Sequence, residues 1–207
     1  MLKTILPFVS IAVLLLAGGC SSGAKTSARV SPPASAANTT QSEGAGALAA
    51  DAKSAATGDI PDNQSFLTFR DTHLGASMLY PEGWTIQQGD STVTIKEKNN
   101  LVRIQLVRAS VPTVASVQAT LAGLSHSDPA LKAGTPTTIA LRGGPAIKVV
   151  YTTESAPNPV TGKRVTLTVD RYVLAHSGRV ATVDLGTPVG VDNVDAYRRM
   201  IESFKWQ

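Results

Sequence analysis

Residues 164–185, RVTLTVDRYVLAHSGRVATVDL, decide the fold of this chain. Apolar side chains recur at every second position in the first half of this stretch, which is the period of a β-strand with one buried face. These positions are Val165, Leu167, Val169 and Val173. Ser177 and Gly178 then supply turn residues before a second apolar run at 180–185. We therefore predict an antiparallel hairpin of two long strands.

One charged residue falls within the apolar alternation of the first strand. Arg171 lies midway between Val169 and Val173, so a regular strand directs its guanidinium toward the covered face of the sheet. A buried guanidinium needs an acceptor, and Asp184 on the neighbouring strand is the candidate. We predict a side-chain contact between Arg171 and Asp184, and a structural ion pair in preference to a ligand site.

Short runs of the same kind precede the hairpin. The other predicted strands cover residues 67–70, 76–80, 92–95, 101–108, 137–141 and 146–153. In the strand at 101–108, Val102, Ile104 and Leu106 share one face, whereas Arg103 and Gln105 share the other. Several antiparallel strands and few helices favour the α+β class.

Two helices are predicted from apolar stripes. The first covers residues 114–124, begins after Pro112 and Thr113, and carries a stripe of Val114, Val117, Leu121 and Leu124. The second lies at the end of the chain and carries Val194, Tyr197, Met200, Ile201 and Phe204 on one face. We expect Asp192 to cap the second helix and Asp195 to pair with Arg199 one turn later. The prediction is a mainly antiparallel sheet covered by helices.

Several short motifs of the chain resemble those of PsbP-like domains. They are Tyr80-Pro81-Glu82-Gly83-Trp84, Arg171-Tyr172-Val173, Gly178-Arg179-Val180, and Leu185-Gly186-Thr187-Pro188 followed by Tyr197 and Ser203-Phe204. The resemblance spans most of residues 66–206 and implies an α/β/α sandwich, a fold shared by actinobacterial lipoproteins of the LpqN type. It implies no common catalytic set.

The first 19 residues have the layout of a cleaved export signal. Lys3 is their only charge, residues 5–16 are mostly apolar, and Ala17, Gly18 and Gly19 are small. Twelve residues extend only about 18 Å as a helix, which is too short to cross ~30 Å of hydrocarbon. We therefore assign residues 1–19 to a signal peptide.

The single cysteine of the chain, Cys20, follows this leader directly. Leu16-Ala17-Gly18-Gly19-Cys20 resembles the lipobox of bacterial lipoproteins, although Ala17 stands where a leucine is preferred. The resemblance implies that Cys20 becomes the mature N-terminus and carries a diacylglyceryl group on its thiol. We expect a domain anchored to a cell membrane and facing outside the cytoplasm. The alternative is an ordinary signal peptide cut near Gly19, with Cys20 incidental.

The segment from Cys20 to residue 65 is predicted to be a disordered tether. Ala, Ser, Gly, Thr and Pro supply 31 of the 45 residues at positions 21–65. As a flexible coil this segment spans roughly 35 to 40 Å. Of the ten aromatic residues, only Phe8 precedes Phe66. We therefore place the globular domain at 66–207.

Composition excludes several classes of function. One cysteine rules out internal disulfides and cysteine-rich metal sites. Residues 66–207 carry 15 Lys and Arg against 11 Asp and Glu, a net charge of +4 that is scattered along the strands. We therefore expect no nucleic-acid partner, and only weak attraction to anionic lipid or cell-wall polymer. The oligomeric state is left open.

The sequence offers no convincing reaction centre. Ser125, His126 and Asp128 have the residue types of a hydrolase triad, but such side chains must meet in space, and we interpret this stretch as a loop after the first helix. His73 and His176 have no ligand partners at metal-binding spacing. We predict no catalytic, cofactor-binding or metal-binding residue and no cofactor. The single predicted site is lipidation of Cys20.

Three further features of the sequence are candidate ligand contacts. Trp84 is predicted to pack in the core, whereas Trp206 could pack or stack on a ligand. Residues 156–163, extended by Arg164, are predicted to form the solvated end of a hairpin.

The functional hypothesis is a lipid-anchored binding or scaffold module for an envelope protein or polymer, not an enzyme. The alternatives are a carrier for a small apolar ligand and, ranked lower, a hydrolase.

Overall fold

The structure is a computed structural model, and it describes residues 58–207. The predicted signal peptide, Cys20 and most of the predicted tether lie outside the described residues. Within residues 58–207 the chain forms strands and two helices, and neither helix is long and apolar enough to cross a membrane.

The elements follow one another along the chain in a mainly β order. The strands are β1 (Phe66–Asp71), β2 (Ala76–Pro81), β3 (Thr85–Gln88), β4 (Thr92–Glu97), β5 (Asn100–Arg108), β6 (Lys132–Ala133), β7 (Thr137–Leu141), β8 (Gly144–Glu154), β9 (Thr166–His176), β10 (Arg179–Pro188) and β11 (Lys205–Trp206). The helices are α1 (Val114–Ser127), between β5 and β6, and α2 (Val194–Glu202), between β10 and β11.

Two antiparallel sheets result. The large sheet has the strand order β3-β4-β5-β10-β9-β8-β6, with β7 also paired to β8, and the small sheet has the order β1-β2-β11. The predicted hairpin is confirmed as β9 and β10, with Arg171 directly opposite Asp184. The predicted α+β class is confirmed, and all the predicted strands form.

The large sheet separates two apolar clusters. On one face, Val93, Ile104 and Val183 pack with Phe69 and Met78 of the small sheet. Tyr197, Met200 and Ile201 of α2 close the same cluster. On the other face, Val117 and Leu121 of α1 pack on side chains from β8 and β9. The layers are therefore α1, the large sheet, and a third layer that combines the small sheet with α2.

The start of α1 matches the prediction. Thr113 occupies the N-cap and exchanges hydrogen bonds with Ser116 in a capping box: Ser116 N donates to Thr113 Oγ1 at 3.1 Å, and Thr113 N donates to Ser116 Oγ at 2.9 Å. The helix continues to Ser127, three residues beyond the predicted end. Of the predicted stripe, Val117 and Leu121 are buried, whereas Val114 and Leu124 are more than a third exposed.

The start of α2 differs from the prediction. Asn193 occupies the N-cap position, and Asp192 Oδ1 accepts a hydrogen bond from Val194 N at 3.2 Å. Asp195 pairs with Arg198 at 3.2 Å and not with Arg199, because the Arg199 guanidinium lies 4.4 Å from the centre of the Phe66 ring.

The folded part of the chain begins before the predicted boundary at residue 66. Ile60 is only 8% exposed and belongs to the large core cluster. Its N–H donates to Asn193 Oδ1 at 2.8 Å, and the Gly58 carbonyl accepts hydrogen bonds from the amides of both Asn100 and Asn193. Amino-acid composition does not reveal that residues 58–60 belong to the folded part, because their main-chain groups, and not their side chains, make most of these contacts.

These groups form a buried polar network, which we call the asparagine lock. Its side chains are Asn100, Asn193 and Thr187, and its main-chain groups are Gly58 C=O and Ile60 N–H. Asn100 is 2% exposed and Asn193 is 3% exposed, so both amides must be satisfied by protein partners. The lock fastens residues 58–60 to the start of β5, the end of β10 and the start of α2.

We predict that Asn193→Ala lowers the free energy of unfolding by about 2 kcal/mol, because it leaves the buried Ile60 N–H without its acceptor and removes one donor each from Asn100 Oδ1 and Gly58 C=O. Urea unfolding of the full chain measures this change. Asn99→Ala is the matched control, since Asn99 is exposed in the neighbouring turn. Equal effects of the two substitutions would contradict the proposed role of the lock.

Candidate functional site

Half of the α1-side face of the large sheet is polar and accessible. Side chains of this face on β8 and β9, such as Val149, Leu167 and Val169, pack with α1. On β3, β4 and β5 the same face carries polar side chains that are exposed or half-buried. They are Thr85, Gln87, Thr92, Thr94, Lys96, Arg103 and Gln105.

A groove runs over this face beside α1, and we call it the sheet groove. Its central compartment has a volume of about 470 Å³ and contains Arg103, Arg171 and Asp184. A second compartment of about 440 Å³ shares Arg171 and contains Val111 and other apolar side chains. A third, of about 740 Å³, shares Arg103 and extends toward the loop after β8. The central compartment therefore meets the second at Arg171 and the third at Arg103.

The predicted contact between Arg171 and Asp184 is confirmed at the floor of the central compartment. Arg171 Nε donates to Asp184 Oδ1 at 2.7 Å, and Arg171 Nη2 donates to Asp184 Oδ2 at 2.9 Å. The Asp184 side chain is 2% exposed and that of Arg171 is 10% exposed. This bidentate geometry is the strongest arrangement available to a guanidinium and a carboxylate.

A second arginine reaches the same carboxylate from the opposite side. Arg103 on β5 is the register neighbour of Asp184, and its Nη2 donates to Asp184 Oδ2 at 3.2 Å. Its side chain is 45% exposed, so its charge faces the groove. Two guanidiniums therefore share one buried carboxylate.

Tyr151 of β8 completes the floor. Its ring centre lies 5.2 Å from the central carbon of the Arg171 guanidinium. Burial raises the pKa of the Tyr151 phenol, and the negative charge of Asp184 raises it further. Burial alone would lower the pKa of Arg171, but the hydrogen bonds and charge of Asp184 more than reverse this, so the net pKa is raised. Arg171 therefore stays ionised and Tyr151 stays neutral near pH 7.

Asp128, just after α1, forms the opposite wall of the central compartment. Its Oδ2 accepts a hydrogen bond from Thr153 Oγ1, and its Oδ1 accepts one from Ala130 N at 3.0 Å. These contacts hold the residues after α1 against β8.

Ser125, His126 and Asp128 do not form a catalytic triad. Ser125 Oγ donates to the Leu121 carbonyl, and His126 Nδ1 contacts the Ala122 carbonyl at 2.6 Å, whereas Asp128 bonds Thr153 and Ala130. The first two lie in the last turn of α1 and not in the predicted loop, because the helix extends further than its apolar stripe. Within residues 58–207, no group of three His, Cys, Asp or Glu side chains is placed to hold a metal ion.

The two tryptophans lie away from the sheet groove. Trp84 is buried in the large core cluster, as predicted. Trp206 lies half-buried against Phe204, stacks on His176 with 5.8 Å between ring centres, and has the Arg179 guanidinium 5.2 Å from its ring centre. The end of the chain is thereby fastened to the β9–β10 turn.

The loop of residues 156–164 is exposed, as predicted. Asn158 Oδ1 accepts hydrogen bonds from Val160 N and Thr161 N, which shapes the turn, and Arg164 Nη1 donates to the Ser155 carbonyl at 2.8 Å. Pro157 and Pro159 of this loop line the third compartment of the sheet groove.

Comparisons with known proteins give similar folds at low identity. The chain is 17% identical to cyanobacterial PsbP (CyanoP) from Synechocystis sp. PCC 6803, with a TM-score of 0.48 over 70% of this chain and 94% of that chain. It is 9% identical to the Ran-binding protein Mog1p of Saccharomyces cerevisiae, with a TM-score of 0.47 over 69% of this chain and 95% of that one. No known family and no curated protein matches.

Sequence reasoning identified Arg171 and Asp184 but missed Arg103, Tyr151 and Asp128 as parts of one site. The alternation of the strand at 101–108 predicts that Arg103 lies on its polar face, and this is the signal that the sequence offers. The pairing of β5 with β10, about 80 residues apart, brings it to Asp184. No local pattern encodes that pairing.

We predict that Arg171→Met lowers the free energy of unfolding by about 3 kcal/mol, because it leaves a buried carboxylate without its bidentate partner. Arg103→Met is the matched control and is expected to cost less than about 1 kcal/mol, since that ion pair is half-exposed. Urea unfolding of both variants measures the difference. Similar losses would show that Arg171 does not dominate the stabilisation of Asp184.

Proposed function

We propose that this protein is a lipid-anchored binding module outside the cytoplasm, and that the sheet groove is its binding surface for an envelope component. We further propose that the domain is PsbP-like and that Cys20 carries the anchor. The observation that supports binding most directly is the half-covered face of the large sheet, with a polar floor built around Arg103, Arg171 and Asp184.

The anchor is supported by the order of segments in the sequence. A short apolar leader, a single cysteine and a tether rich in small residues follow one another without interruption. One acyl chain binds a bilayer only marginally, whereas two hold it stably, so a diacylglyceryl group suffices as the anchor. The tether then lets the domain reach partners at some distance from the lipid.

The shape and chemistry of the sheet groove favour binding over the alternatives. Ligand sites are concave and combine apolar walls with a few fixed polar groups. The sheet groove has both features, since the apolar side chains near Val111 adjoin the polar groups of the central compartment. A hydrolase is not favoured, because the side chains of Ser125, His126 and Asp128 engage separate partners. A carrier of a small ligand is the second candidate, and the apolar compartment at Val111 is the observation that favours it.

We predict that Cys20→Ser moves the protein from the membrane fraction to the soluble fraction of cells. The thiol is the proposed site of lipid attachment, and a serine hydroxyl does not replace it. Ser21→Ala, one residue away, is the matched control and should leave the protein in the membrane fraction. Equal membrane association of the native chain and Cys20→Ser would contradict the anchor.

We also predict that a photo-crosslinking residue at position 105, within the sheet groove, captures a defined envelope partner in intact cells. The control is the same residue at position 108, which is exposed on β5 but alternates toward the opposite face. Capture should be strong at 105 and weak at 108, and should decrease in a Cys20→Ser background. Equal yields at the two positions would argue against the sheet groove as the binding surface.

A further inference from the structure

The centre of the sheet groove has more positive donors than its buried carboxylate can use. A guanidinium carries five N–H donors. Arg171 directs two nitrogens at Asp184, and Arg103 directs one. The Arg103 side chain is 45% exposed, so further donors of this group face the groove. The central compartment therefore presents guanidinium donors that Asp184 leaves unused, above a carboxylate that is already paired.

The other acidic side chains around the groove have protein partners. Asp128 accepts hydrogen bonds from Thr153 and Ala130 on the opposite wall. At the rim, Glu97 pairs with Lys98 at 3.2 Å, and Glu154 lies 4.0 Å from Arg164. Lys98 and Arg164 match the charges of Glu97 and Glu154, whereas the donors to Asp128 are uncharged. The donors of Arg103 that Asp184 does not use are therefore the groups at the centre best placed to bind an anion.

An apolar compartment adjoins this positive centre. Its larger apolar residues are Val111, Pro112, Val117, Val173 and Val180. Its polar residues include Ser116, and it shares Thr120, Arg171 and Thr182 with the central compartment. Val111 lines this compartment and is 77% exposed. An apolar group bound there would cover Val111 and lie next to the arginines.

We propose that the sheet groove binds an amphipathic oxyanion, in which a carboxylate or phosphate is held by Arg103 beside Arg171 and an alkyl group enters the compartment at Val111. This proposal rests on the proposed function of the groove as a binding surface, and it adds the chemical class of the ligand. Guanidinium forks match carboxylate and phosphate oxygens alike, so both head groups are compatible with the site.

The test is isothermal titration calorimetry of the full chain, isolated from membranes in neutral detergent micelles. The probes are hexanoate and hexyl phosphate, with hexanol as a neutral probe that also enters micelles, and acetate and inorganic phosphate as probes without an alkyl group. We expect saturable binding of at least one hexyl anion and not of hexanol. The anion that binds with the higher affinity identifies the preferred head group.

Arg103→Gln should weaken that binding about tenfold or more, because it removes charge-assisted hydrogen bonds. Arg108→Gln, on the same strand and alternating toward the other face, should leave it unchanged. Val111→Ser should weaken the binding of the hexyl anion but should not change the binding of inorganic phosphate or acetate. Thermal unfolding of each variant shows that the fold is retained.

Three results would overturn the proposal: no saturable binding of either hexyl anion, equal binding of hexanol, or full binding by Arg103→Gln. Failure of the ligand class is distinguishable from failure of the proposed function. The anchor is tested by fractionation and the groove by crosslinking at position 105, and neither depends on the calorimetry.

Discussion

A single α-helix is about 10 Å across, whereas neighbouring strands lie about 4.8 Å apart, so one helix lying on a sheet covers two or three strands. The large sheet here extends over about 30 Å, and among residues 58–207 only α1 lies on its second face. The first face is covered by the small sheet and α2 together. The side chains of β3, β4 and β5 on the second face must therefore be compatible with water, and they are mostly threonine, glutamine, lysine and arginine. The polar floor of the sheet groove follows from this difference in width.

The ion pair of Arg171 and Asp184 lies at the boundary between the covered and uncovered halves. Its charges can be buried because the pairing is bidentate and Arg103 supplies a further donor to Asp184. The pair also specifies the register of β9 on β10. A slip of one residue would turn Arg171 toward the apolar cluster that contains Met200 and Ile201. In that register Arg171 would lose Asp184 as its partner. The interaction therefore links the hairpin to the position of the groove.

The period-two pattern was sufficient to predict all the long strands, the hairpin of β9 and β10, and its central ion pair, because these depend on neighbours in sequence. The strands β3, β6 and β11 were missed, since two to four residues are too few to establish a period. The division into two sheets and the pairing of β5 with β10 were also missed, because both are non-local. Hence Arg171 was found from the sequence and Arg103 was not. The asparagine lock was not predicted either, because it is also non-local: the main chain at Gly58 contacts side chains more than 40 residues away.

Two apolar side chains at positions 171 and 184 could fill this part of the sheet without burying any charge. Replacing a buried ion pair by hydrophobic residues of similar volume is often neutral or stabilising, so stability alone does not account for the charges. Register specificity accounts for Arg171 and Asp184, but it does not require a second arginine at 103, which is half-exposed and adds little to the stability of the fold. Departures from the most stable arrangement are expected where a protein binds its ligands. The buried ion pair is such a departure, and Arg103, which joins it where the central and third compartments meet, is the strongest physical reason to propose the sheet groove as a binding site.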